Sequence, residues 1–399
     1  MCTQDSSHLR RLLPLVHGLV AAGCDVQAFV PATGAAALSA AGATVHDLDA
    51  LCPWHGIDLE SRPHGLRQVA YAARHAAALC DRIAALAPRL IVYDTFALLA
   101  RVVAHRLGLR SVNLCAGHNL HAGTLPAILG HSTIHISAEC HAAVAELSAR
   151  YAFDTGPFAY ADGVSPWLNL YGEPPEFLPD SARTALAPLA CFGSLPALSQ
   201  LEACAQASPR SWFTATAARH RVYASFGTVI WRRYSTEALA ALAAIAEAVA
   251  ARGDVDLVVS LGGATLTAAQ RAALTRYPVR VEDYLDQWAV LQEADLFITH
   301  HGLNSTHEAI WHGVPMLSYP FFWDQPGLAA QAQAFGLATP LATSPRALLS
   351  VALVARQLDR ALAAAPTTRT HLATARQWER AVMATRPAVI ERVVALAEI

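Results

Sequence analysis

The sequence predicts an α/β protein made of two doubly wound parallel sheets, one in each of two domains. Three observations carry this. Short apolar runs alternate with amphipathic helical stretches along most of the chain, the pattern of strands whose connecting helices cover both faces of a sheet. The alternation lapses once and then restarts. The 399 residues, 54% hydrophobic and 15% charged, exceed the length at which one core stops growing, so two domains of roughly 200 residues are expected.

Taken in order, Leu9, Leu12, Leu13, Val16, Leu19 and Val20 recur at helical spacing and stop at Gly23, after which VQAFVP reads as a buried strand. LRQVAYAARHAAALCDRIAALAP then reads as a helix, LIVYD as a strand, FALLARVVAHRLGL as a helix and SVNLC as a strand. From Gly117 to about Ser165 the chain is rich in histidine and alanine, and helices and loops at the carboxyl edge of the first sheet are expected there. The proline-crowded stretch that begins PWLNLYGEPPEFLPD reads as the chain leaving the first domain, with a linker near residues 195–218. The second half gives strands at RVYASFG, VDLVVSLGG, VRVEDY, LFITH and PMLSYP with helices between them, and the final helix is interrupted near Pro387.

Composition narrows the function. The net charge is −2 and the sequence contains no lysine, which excludes a Walker-type phosphate loop and a lysine Schiff base, and gives no footprint for nucleic acid. Eight scattered cysteines without a CxxC pair suit a reducing compartment. No run of about 20 apolar residues and no apolar signal core occur, so a cytoplasmic protein without a transmembrane segment is expected.

Chemistry concentrates in FITHHGLNSTHEAIWHGVPMLSYP, Phe297–Pro320. Strand LFIT delivers His300 to the carboxyl edge, and Asn304 and Ser305 fall in the first turn of the next helix. Free backbone N–H groups, a hydroxyl and an imidazole there make an anion site; an N-capped helix with two incidental histidines is the plain alternative. HHGLNSTHEAIWHGVP and PFFWDQ (Pro320–Gln325), with YASFGTV (Tyr223–Val229) and YLDQWAVL (Tyr284–Leu291), resemble in order the signature segments of family 1 nucleotide-sugar glycosyltransferases of the GT-B fold, of the bacterial macrolide and natural-product kind.

The resemblance implies two Rossmann-like domains facing across a cleft: residues 1–205 for the acceptor, 218–375 for the nucleotide sugar, and 376–399 a helix packing back on the first domain. His300 and Ser305, with backbone around Gly302 and Asn304, would hold the donor phosphates, and Glu308 both ribose hydroxyls, which favours UDP. Gln287 would meet the base edge and Tyr284 stack on its face. Asp324 and Gln325 would bind sugar hydroxyls, while Gly227 and Thr228 approach the phosphate or acceptor. His301 stands where the family usually has glycine, and Asp286 replaces the proline before Gln287, so a fixed backbone angle in the base loop is expected to be lost.

Inverting transfer needs a base, and histidine suits it when a carboxylate on the other ring nitrogen fixes the tautomer. His8, with Gly23 fifteen residues on, keeps the family's spacing, and Asp94 at the end of LIVYD matches its carboxylate. The family's buried strand ahead of that histidine has no counterpart in MCTQDSS, so a late start or a truncated enzyme is expected, with neighbouring strand edges left open. His118, His121, His131, His135 and His141 with Cys140 raise a metal site, but no HExxH or CxxC supports it and none is expected. The expected activity is metal-independent, cofactor-free transfer of a hexose, glucose first, from a UDP-sugar to a hydroxyl of a lipophilic small molecule, by a monomer or weak dimer. A non-catalytic sugar-nucleotide-binding helper and a GT-B-like epimerase are the rivals.

Overall fold

The structure, a computed structural model, describes residues 6–115, 117–130, 132–196, 201, 212–213 and 218–398. It divides into two compact units, Met1–Leu198 with Ala381–Ile399, and Ser199–Arg380. The division, between 198 and 199, falls within the linker drawn from the sequence, most of which lies outside the described residues, and a few residues before the expected domain end at 205; the chain returns to the first unit at 381 rather than 376.

The first unit opens with the helix Ser6–Ala21, followed by β1 (Gln27–Val30), the helix Ala32–Ala40 and β2 (Thr44–Asp47). After the helix Arg67–Ala84 come β3 (Leu90–Asp94), the helix Leu98–Arg106 and β4 (Arg110–Leu114), then the helix Ala138–Tyr151, β5 (Leu168–Tyr171) and β6 (Leu189–Cys191). The last two strands correct the sequence reading. The proline-crowded stretch does not leave the domain but extends its sheet with strands of four and three residues, too short to show a period of their own. Every strand is parallel, yet the sheet is in two parts, β1-β2 and β3-β4-β5-β6. Both parts share one core, in which Leu9, Leu12, Leu15, Val16 and Leu19 of the first helix meet Ala28, Val30, Val112, Leu114, Leu168 and Leu170. Val389, Ile390 and Val393 of the last helix, Arg386–Glu398, close that core. A side chain on Gly18 would run into Ile390, 2.7 Å away, so the glycine lets the two helices approach.

The second unit is one six-stranded parallel sheet in the order β12-β11-β10-β7-β8-β9, formed by β7 (His220–Ser225), β8 (Val255–Ser260), β9 (Val279–Glu282), β10 (Leu296–Thr299), β11 (Met316–Ser318) and β12 (Ala338–Pro340). Its strand order reverses between β7 and β10. In open sheets of this kind ligands bind beyond the carboxyl ends of strands at such a switch point. β8, β10 and β11 are buried at every position, as strands covered by helices on both faces must be. Among the described residues no single helix is long and apolar enough to cross a membrane.

Candidate active site

In the second unit β7 and β10 end side by side, Ser225 opposite Thr299. Beyond β10 the chain turns through His300 and His301 and enters the helix Leu303–His312 at Gly302, which caps it with no side-chain bond to the first-turn amides. The His300 ring lies against two glycines. A Cβ on Gly227 would sit 2.8 Å from its Cε1, and one on Gly302 2.5 Å from its Nε2. Only glycine permits this approach, and Gly227 also needs its φ of +69°. Burial pushes His300 down to about 4, a backbone hydrogen bond at Ser225 working the other way, and its Nδ1 is buried with no hydrogen-bond partner. The ring is therefore neutral at pH 7, a hydrogen-bonding group beside a helix N-terminus whose first amides have no partner within the helix, which is the chemistry of an anion site.

His301 has a different job. Its φ of +58° is the left-handed conformation that favours glycine. The ring is fully buried, Nδ1 at 3.1 Å from Thr306 Oγ1 and Nε2 at 2.8 Å from Ser318 Oγ. One bond ties the turn to the helix Leu303–His312 and the other to β11, and together they hold the strained backbone. Behind the same helix His307 Nδ1 meets Glu379 Oε1 at 2.5 Å, both fully buried, so the helix is anchored on its far side.

Gln287 brings the base loop to this helix. Its Nε2 donates to Glu308 Oε2 at 2.7 Å and to Ser305 Oγ at 3.1 Å, while Tyr284 stays 56% exposed. The loss of proline at Asp286 does not loosen the loop, contrary to the sequence expectation. Asp286 adopts φ −68°, the angle a proline ring fixes, and its carboxylate caps the helix Gln287–Leu291 through Trp288 N. A cap does the work of a ring. In the loop after β11, Gln325 Oε1 accepts from the backbone N–H groups of Phe321 and Phe322 at 3.0 and 3.3 Å. That carbonyl is thus engaged in shaping its own loop, a narrower role than sugar recognition, and Asp324 stands at the N-cap of the next helix. The loop sits beside the β7 exit, the Phe321 ring 5.0 Å from that of Phe226, next to Gly227; Thr228 follows, half-buried in the helix Gly227–Arg233.

In the first unit His8 Nδ1 lies 2.7 Å from Asp94 Oδ2. The histidine is 9% exposed and the carboxylate fully buried. Asp94 Oδ1 accepts from Phe96 N at 3.1 Å, so this side chain both caps the strand exit and orients the imidazole. Burial alone would raise the Asp94 carboxyl; the His8 ring, the Arg11 guanidinium and the Phe96 amide together hold it below the usual carboxylate range. With Nδ1 on the carboxylate, Nε2 is left as the basic atom.

Two features of this edge were missed from sequence. Arg11 donates from Nη1 to the Cys115 carbonyl at 3.2 Å. His118 pairs through Nδ1 with the fully buried Glu173 at 3.0 Å, and the Tyr171 hydroxyl donates to the same oxygen at 2.7 Å. Positions 11 and 173 carry no motif that would have singled them out. The other histidines of the metal idea scatter. His121 caps a short turn with Thr124, His135 bridges Arg62 through backbone, His141 is exposed and Cys140 buried under Leu66, and His131 lies outside the described residues. Among the described residues no three His, Cys, Asp or Glu side chains gather as metal ligands.

Comparison with known proteins agrees with the motif resemblance. Residues 201–353 match the family model described as UDP-glucoronosyl and UDP-glucosyl transferase. The zeaxanthin glucosyltransferase of Pantoea ananas is 33% identical over 155 residues, 38% of this chain and 33% of that enzyme. The oleandomycin glycosyltransferase of Streptomyces antibioticus is 42% identical over 65 residues, 16% of this chain and 15% of that one. The matched segments thus span a third or less of these relatives. The fold extends further: the glycosyltransferase of kitacinnamycin superposes with a TM-score of 0.73 at 21% identity, covering 98% of this chain and 97% of that one. The fold is GT-B.

Proposed function

We propose that this chain is an inverting glycosyltransferase that moves a hexose, glucose from UDP-glucose in the first instance, to a hydroxyl of a lipophilic small molecule, without a metal ion. The observation that carries the reading is the His8–Asp94 pair, because a protein that only binds sugar nucleotides has no use for an oriented buried base. His8 Nε2 takes the acceptor hydroxyl proton as that oxygen bonds to the anomeric carbon; the bond from that carbon to the diphosphate oxygen breaks, and UDP leaves with the electron pair. His300 and the first-turn amides of Leu303–His312 stabilise the diphosphate as its charge grows, the part a divalent cation plays elsewhere. Glu308, with Gln287, takes the ribose diol, and Tyr284 the base.

A helper that binds donor without turnover is favoured by one observation, the break between β1-β2 and β3–β6. An epimerase has no such support. Incubating the chain with UDP-glucose and a panel of phenols and polyketides, with mass-spectrometric detection, separates them. Glycosylated acceptor from wild type and little from His8→Ala is the expected result. Donor binding with no product would leave the helper standing, and undiminished transfer by His8→Ala would remove the proposed base.

A further inference from the structure

Arg11 stands three residues beyond His8 in the helix Ser6–Ala21, so both side chains leave one face. It is 3% exposed, and its Nε is buried with no hydrogen-bond partner. Leu114 is the register partner of Asp94 across β3 and β4, so the Cys115 carbonyl held by Arg11 lies one residue past it. The guanidinium is thereby fixed beside the buried carboxylate of the dyad. A purely structural tie explains this poorly, since a neutral amide could donate to one carbonyl without burying a charge. What a permanent cation adds is its field.

We infer that Arg11 is a positioning residue whose fixed charge balances Asp94, so that the buried carboxylate orients His8 without drawing a lasting proton onto the pair. Its catalytic consequence rests on the glycosyl-transfer reading; its electrostatic consequence does not. Without Arg11 the carboxylate keeps the imidazole and the Phe96 amide but loses its neighbouring cation, and either His8 holds a proton to higher pH or Asp94 itself takes one. Both remove the base from its working form.

The groups facing this pair come from each neighbouring strand exit. Cys115 after β4 has a thiol pushed up to about 12, burial first and then the opposing charges of Arg11 and Asp94, with Cys191 and Glu173 adding to the rise. At the end of β5 stands Tyr171, raised by burial and by Glu173, and beyond it the Glu173–His118 pair. From the β3 exit the Phe96 ring lies 5.4 Å from His8. The groups that face the pair are therefore Arg11, Cys115, Tyr171, Glu173 and His118.

The test is the proton-bound state of His8 in the full chain, followed by its imidazole carbon–proton NMR signal against pH and assigned with His8→Gln. In Arg11→Gln the midpoint should rise by about one unit, and Arg11→Lys should return most of it. In transfer assays Arg11→Gln should lose about tenfold more kcat/KM at pH 6 than at pH 8.5. An unmoved His8 midpoint in a folded Arg11→Gln overturns the inference, as does an equal loss at every pH. If wild type transfers no sugar to any acceptor the glycosyl-transfer reading fails, while the titration still decides Arg11. Should Arg11→Gln not fold, Arg11→Met removes the charge in more apolar form and carries the same expectations.

Discussion

Each unit sets a histidine at the carboxyl side of a parallel sheet, and the two imidazoles are held in opposite ways. His8 is bound to a buried carboxylate with a guanidinium behind it. His300 lies between the backbones of Gly227 and Gly302, far down its pKa range at about 4. On the proposed function, the same side chain would take a proton in one unit and in the other stand neutral beside an anion. Neighbours, not residue type, assign the role.

The sharpest way to break this comparison is at the carboxylate. Asp94→Asn keeps the shape but removes the charge that fixes the His8 tautomer, and transfer should fall about a thousandfold. UDP affinity measured by calorimetry should be unchanged, because the proposed donor groups are in the other unit. A matching loss of UDP affinity would mean that the two sites are not separable in this way.

Acid should separate the units next. His300, His301 and His312 are pushed down to about 4, 3 and 4, chiefly by burial. Their unfolded forms take up protons near 6.5, so the unfolded chain binds more protons below that pH. Stability from these groups is complete above 6.5 and is lost as pH falls towards 4 and 3, a few kcal/mol in sum by pH 5. In the first unit Asp94 has a lowered pKa, and its contribution persists until pH falls below the ordinary carboxylate range. His46, His75 and His121 there are lowered too, but in less buried positions. Six of the eight tryptophans, Trp212, Trp231, Trp288, Trp311, Trp323 and Trp378, lie in the second unit. Urea midpoints by fluorescence should therefore fall between pH 7 and 5; equal midpoints would mean these rings are not buried neutral.

The units also differ in how much the sequence discloses. The proposed donor side is built from nearly contiguous residues, Gln287 to Glu308, whose spacing on strand, turn and helix can be read directly. Its turn still held a surprise, since Asp286 recovers by capping the angle that proline would have fixed. The base side joins residues 86 apart in His8–Asp94 and 104 apart in Arg11–Cys115. The first of these was reachable only through a familiar spacing; the second had no local signal, because a buried arginine in a helix looks like a surface one until the sheet beneath it is known. β5 and β6 were hidden for a related reason. Strands of four and three residues between prolines are set by the sheet they join, not by their own periodicity.

Within the donor site Glu308→Ala should weaken UDP binding about tenfold and TDP binding less, since only the ribose of UDP offers both hydroxyls to the carboxylate. Equal losses for the two nucleotides would move the ribose contact elsewhere and leave Glu308 as a partner of Gln287 alone.

The smallest expected effect tests whether His301 belongs to the scaffold or to the anion site next to it. Its left-handed backbone costs about 1 kcal/mol or more in any residue but glycine, and its two ring bonds to Thr306 and Ser318 return about 1 kcal/mol each. His301→Ala loses the bonds and keeps the strain, whereas His301→Gly loses both. Both variants should be less stable than wild type in urea, with alanine below glycine by about 1 kcal/mol, and UDP affinity should stay within about twofold in each. A glycine variant more stable than wild type would mean that strain outweighs the bonds. A glycine variant of wild-type stability but with tenfold weaker UDP binding would place His301, rather than His300 alone, at the phosphates.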